Sequence, residues 1–206
     1  MIEDFRELSV IQLDALKEIG NIGAGNAATA LAVMTQARID MSIPQIGILA
    51  FNKVANLVGG PETPVVGVYF QVTGSANCNI LFILSIEKAV LLAELLMGIP
   101  PSHGNTLGTM ELSAVAEAGN IISGTYLNAL AMFTQMTLIP SVPAVGVDMA
   151  GALLDGVLAQ YGEIGDHVLV LENMFKKGDL DVIGHLFLLP EPGALDSILT
   201  ALGVNF

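Results

Sequence analysis

Two carboxylates and an amide, Asp14, Glu18 and Asn21, recur 99 positions later as Ser113, Glu117 and Asn120. Each set is followed, after 22 intervening residues, by a proline, Pro44 in the first copy and Pro143 in the second. A carboxylate can ligate a divalent ion or meet a cationic partner, and an amide can donate and accept hydrogen bonds at once. A dedicated cation cage fits poorly, because the first copy offers only Asp14 and Glu18 and the second replaces the aspartate by Ser113. Binding of a partner fits better. At 100° per residue the three polar residues of each copy fall within an arc of about 60°, spread over roughly 10 Å of helix axis. They form one stripe. Leu13, Leu16, Ile19, Ile22 and Leu31 largely take other azimuths, so the stripe can face outward while the rest of the helix packs.

An ordinary solvated helix face would account for one such stripe, but it accounts poorly for two. Asn is a weak mid-helix residue and stands at the same place in both copies. The same segments carry Gly20, Gly23 and Gly25, then Gly119 and Gly124, and each glycine inside a helix costs about 1 kcal/mol relative to alanine. Close approach of another backbone, from within the protein or from a partner, is the usual reason to keep one.

The elements that must hold these stripes follow from the pattern. Ser9 with Gln12 makes a capping box, which predicts a helix from about residue 10 to about 34. The matching helix is expected from Thr109, read as its N-cap, to about Met132, with Glu111 in a first turn that favours an acid. Period-two alternation after each helix, over Ala37–Ile43 and Met136–Val142, predicts half-buried strands. Further strands are expected at 65–72, 79–84, 168–172 and 183–189, with shorter ones around 46–51 and 153–160. Turns at Thr73–Asn77 and Lys176–Asp179 suggest antiparallel pairing. A second helix closes each half, over 86–97 and 193–202, and the loop Gly98–Gly108 joins the halves. A second block, Leu81 to Gly98, matches Leu186 to Gly203 at an offset of 105. The period is too long for a solenoid unit. The expected class is α+β: one internally duplicated domain over residues 1–206, with repeats of about 1–105 and 106–206, pseudo-two-fold symmetry and an antiparallel sheet packed with long helices.

Composition narrows the function classes. The 206 residues are 53% hydrophobic, enough to fill one sizeable core. A net charge of −13 with seven Lys and Arg offers no basic surface for nucleic acid. Mean hydropathy is high, at +0.69, and Ala118–Val147 lacks formal charge. That run nevertheless carries Asn120, Ser123, Asn128, Gln135, Pro140 and Pro143, so no membrane span is expected. The N-terminus lacks a signal-peptide pattern and Cys78 has no partner cysteine, which together predict a cytoplasmic protein. Cys78 has no flanking His or base, and His103, His167 and His185 share no ligand spacing, so none reads as a nucleophile or metal ligand. The glycine run from Gly20 to Gly25 follows a helix rather than a strand and lacks the Lys-Ser/Thr ending of a phosphate loop.

The doubled motif, with the unbroken run from Glu18 to Ala30, resembles the CheC/CheX/FliY family of chemotaxis phosphatases over essentially the whole chain. Two complete motifs fit the CheC branch better than the shorter, single-site, dimeric CheX. An end at Phe206, without a flagellar-switch domain, departs from FliY. The resemblance implies a phosphorylated CheY-type receiver as substrate and CheD as a second partner. It implies that Asn21 and Asn120 orient the attacking water, that Glu18 and Glu117 pair with the receiver's active-site Lys, and that Asp14 and Ser113 assist recognition. Pro44 and Pro143 would shape the strand after each helix. It also implies no metal or cofactor on this chain, with Mg²⁺ on the receiver, and two copies in one chain predict a monomer. The alternative reading is a non-catalytic adaptor that binds CheD or a phosphorylated receiver.

Overall fold

A computed structural model describes residues 8–100, 106–161, 167–177, 180–191 and 193–204. Ser9 accepts from the Gln12 backbone while the Gln12 side chain accepts from Ser9, and the capped helix α1 runs over Val10–Thr35. Its counterpart α3 spans Thr109–Thr134. Gly108, rather than the expected Thr109, is the N-cap, and it makes no side-chain bond; Thr109 is already helical. Both helices end on a glutamine in the left-handed region, Gln36 and Gln135, at the same repeat position.

Among the described residues seven strands form one antiparallel sheet: β1 Asp40–Ala50, β2 Pro64–Gly74, β3 Cys78–Ser85, β4 Leu138–Pro140, β5 Ala144–Met149, β6 His167–Lys177 and β7 Leu180–Pro190. The order is β1-β6-β7-β3-β2-β4, with β5 also on β2. That order is palindromic under the repeat. β3 and β7 meet at the centre, β2 and β6 flank them, and β1 and the β4–β5 pair take the edges. The register agrees: the central pairs Leu81↔Phe187 and Phe82↔Leu186 exchange under the offset of 105. Each edge strand lies on the other half's sheet, β1 on β6 and β4–β5 on β2.

Alternation along the strands feeds two cores. Val66, Val68, Phe70, Ile80, Phe82, Leu84, Leu169, Leu171 and Leu186 face α1, α3 and the closing helices α2 (Ile86–Met97) and α5 (Ala194–Ala201). Val65, Leu81, Ile83, Val168, Val170 and Phe187 face the other way. Over them lie a 3₁₀ helix, Phe51–Val58, and α4, Ala150–Tyr161. Each fully buried Leu or Phe contributes about 1.5–3 kcal/mol by leaving water. β3, covered on both faces, is buried at seven of its eight positions and so reads as a continuous apolar run.

Other expectations change as well. The strand predicted at Leu153–Gln160 is the helix α4: Ala150, Leu154 and Val157 are buried, and their spacing of four and three is helical. The short strand expected at 46–51 is the second part of β1, and Phe51 opens the 3₁₀ helix. Strands after the long helices begin later than Ala37 and Met136, at Asp40 and Leu138, and β5 was not anticipated at all. The turn at 176–179 and the joining loop at 98–108 fall partly outside the described residues.

Candidate functional site

Asp14, Glu18 and Asn21 are exposed along α1, and Ser113, Glu117 and Asn120 are exposed along α3. Behind them Leu16, Ile19, Ala27 and Leu31, and Val115, Ala118, Ile122 and Leu130, are buried in the common core. Among the described residues neither Asn21 nor Asn120 makes a side-chain hydrogen bond, so both amides are presented with all their donors and acceptors free. Ser113 differs from Asp14 in more than charge, because its hydroxyl donates to the Thr109 carbonyl at 2.9 Å.

The glycines separate by function. A methyl group at Gly20 would come within 3.0 Å of Leu171 Cδ2 and 3.1 Å of Ile43 Cδ1, and one at Gly119 within 3.0 Å of Val68 Cβ. Leu171 and Val68 are the fifth residues of β6 and β2, so each long helix sits down on a strand of the opposite half, immediately before its asparagine. A methyl at Gly23 would lie 3.0 Å from Tyr126 Cα, where α1 meets α3. These contacts set the azimuth of each helix and turn its polar stripe outward.

Pro44 and Pro143 both mark interruptions of the edge strands. Pro44 stands in the register shift of β1 between Ser42 and Gln45, and Pro143 closes the gap between β4 and β5. A residue without N–H suits a break in an edge ladder. The shift leaves Ile43 buried under Gly20.

The remaining reactive groups lie elsewhere. Cys78 is buried, and burial, with the Glu191 carboxylate nearby, pushes its thiol up to about 12. His185 faces away from the long helices beside Glu172, Nε2 to Oε2 3.9 Å, and burial pushes its imidazole down. His103 falls outside the described residues. Among those described, no three His, Cys, Asp or Glu side chains gather as a metal site, and no helix is long and apolar enough to cross a membrane.

Gly25 and Gly124, already noted as glycines inside the helices, follow each asparagine by four residues, on the same line, and a methyl group at either would touch nothing within 4 Å. The spacing of three and four, carried past the asparagine, places them on the stripe.

Comparison with known proteins agrees with this arrangement. A model of the CheC-like family matches residues 11–48 and 110–147, the two helices with the edge strands that follow them. The chain is 33% identical to the CheY-P phosphatase CheC of Bacillus subtilis (strain 168), over 98% of both proteins. It is 28% identical to the flagellar motor switch phosphatase FliY of the same organism, over 70% of this chain and 38% of FliY. The crystal structure of Thermotoga maritima FliY superposes with a TM-score of 0.75 at 22% identity, covering 96% of this chain and 98% of that one, a likeness of fold. With a relative at this identity along nearly its whole length, the chain belongs to the CheC-like family.

Proposed function

We propose that this chain is a chemotaxis phosphatase that hydrolyses the aspartyl phosphate of a CheY-type response regulator. The observation that carries the reading is the doubled, exposed Glu–Asn pair on α1 and α3, with no hydrogen bond holding either amide back. Relatives named as CheY-P phosphatase and motor switch phosphatase support the reaction class. The site is an exposed helix face, which suits a substrate that brings its own cleft.

An acyl phosphate has a good leaving group, so the phosphatase mainly has to position a water. Asn21 or Asn120 accepts a hydrogen bond from that water through its amide oxygen and fixes the water's lone pair in line with the phosphorus. The new P–O bond to water forms as the P–O bond to the aspartate breaks. The carboxylate leaves as an anion, phosphate keeps one of the water's protons, and the other passes to solvent. Glu18 or Glu117 pairs with the receiver's active-site Lys and holds the register. Asp14 and Ser113 widen the recognition surface. Mg²⁺ belongs to the receiver, where it offsets phosphoryl charge.

The test is the decay of phosphorylated receiver with Mg²⁺, with and without the protein. Asn21→Ala with Asn120→Ala should cut the acceleration by about 100-fold or more, while exposed substitutions of this kind shift stability by under about 0.5 kcal/mol. Acceleration retained by the double variant overturns the water-positioning role. No acceleration by the unaltered chain would favour an adaptor that binds the receiver or CheD.

A further inference from the structure

The polar stripe does not stop at the residues of the motif. Counting back from Asp14 by three reaches Ile11, and from Ser113 by three reaches Met110; counting on from the asparagines by four reaches Gly25 and Gly124. The full line is 11, 14, 18, 21, 25 on α1 and 110, 113, 117, 120, 124 on α3, alternating steps of three and four, so all five residues share one face over about 21 Å. Both ends are odd in the same way in both copies. Ile11 is 58% exposed and Met110 73% exposed, although neither polar chemistry nor the core needs a large apolar side chain there. Gly25 and Gly124 have no neighbour that would exclude a methyl group, so helix propensity is given up with no packing return.

We infer that each stripe is the middle of a longer docking line for the receiver, with Ile11 or Met110 as an apolar anchor at one end and Gly25 or Gly124 as a bare segment for close backbone approach at the other. This rests on the phosphatase reading and deepens it. The occupant follows from continuity, since the added residues lie on the face that presents Glu and Asn, Ile11 and Met110 about one turn before Asp14 and Ser113, and Gly25 and Gly124 about one turn after the asparagines. An apolar group beside a polar centre, closed off from water on docking, is the usual anatomy of a binding hot spot. The glycine explains how the amide reaches a recessed phosphoryl group: without a Cβ one turn beyond Asn21, the receiver's loops can settle against the helix backbone. Other exposed apolar residues also recur, Val33 with Met132 and Met34 with Phe133. They are rotated roughly 80° or more from the line and begin about 18 Å beyond the asparagine, so they lie outside this contact.

The experiment pairs affinity with stability. A receiver loaded with beryllofluoride, a non-hydrolysable stand-in for the acyl phosphate, is titrated onto the full chain and three double variants, and hydrolysis of the phosphorylated receiver is measured on the same proteins. Ile11→Ser with Met110→Ser should raise Kd and KM about tenfold or more, with kcat within twofold and Tm unchanged. Gly25→Ala with Gly124→Ala should raise Tm by about 1–4 °C per site and yet weaken binding at least fivefold, a combination no structural role of glycine produces. Val33→Ser with Met132→Ser should leave Kd unchanged. If the unaltered chain binds the receiver and both line variants keep its Kd within twofold, the docking line is wrong. If the chain binds without hydrolysing, and the line variants lose binding, the phosphatase reading fails and the line stands. A receiver neither bound nor hydrolysed overturns both.

Discussion

Exposure, more than intrinsic reactivity, decides which side chains of this protein are open to a partner. The most nucleophilic atom available, the Cys78 sulfur, is enclosed at the start of β3 with its thiol pushed from 9.0 to about 12. The neutral amides of Asn21 and Asn120 are turned to solvent. At pH 8 the native thiolate population should therefore fall by about 10³ relative to an unperturbed thiol. Iodoacetamide should alkylate the folded protein at least about 100-fold more slowly than the urea-unfolded chain, read by mass spectrometry over time; equal rates would show that the thiol is open to solvent. The same shift has a sign for stability. With its folded value raised, Cys78 leaves stability intact below pH 9, and stability falls as pH rises from 9 toward 12, because only the unfolded chain ionises there.

The two long helices depend on contacts that sequence periodicity only partly reveals. Ser9 and Gln12 announce the start of α1, and the apolar spacing announces its buried face. The outward stripe was legible because polar residues repeated at one azimuth. What was not legible is why Gly20 and Gly23 are glycines, since that depends on Leu171 and Tyr126, which are remote in sequence. At the α1–α3 contact, Gly23→Ala would push a methyl group into the Tyr126 backbone, which cannot swing aside. It should destabilise by about 1–3 kcal/mol as an overpacked site, lowering the urea midpoint at constant m-value. No loss would mean that the helices move apart freely. α4 was misread because Gly151, Gly156 and scattered apolar residues imitate a strand, whereas burial of Ala150, Leu154 and Val157 under the sheet fixes the helix. β5 carries period-two alternation, Val145, Val147 and Met149 against Gly146 and Asp148, but all six of its residues are exposed, so its strand rests on backbone pairing with β2 rather than on a buried face.

At the scale of the whole molecule, the halves are interleaved. β1 hydrogen-bonds to β6, β4 and β5 to β2, and α1 rests on Leu171 while α3 rests on Val68. Residues 1–105 alone would leave β1 without its partner and strip β2 of its outer neighbours. We expect the separate fragments 1–105 and 106–206 to show no cooperative thermal transition as monomers, and an equimolar mixture to regain one. Circular dichroism melts with sedimentation analysis would decide it. A monomeric half with a sharp melt would mean that the crossed strands are dispensable.

Interleaving also changes what a substitution can do. A half-length chain built this way would need a second copy to lend it an edge strand, and in that symmetric pair every replacement would appear at both sites at once. Joining the copies makes the exchange intramolecular, so the strands meet at a high local concentration however dilute the protein. Symmetry then ceases to be compulsory. Asp14 against Ser113, Lys17 against Ala116 and Gly23 against Ile122 are the visible result: one scaffold on which the two helix faces can diverge while the sheet that supports them stays shared.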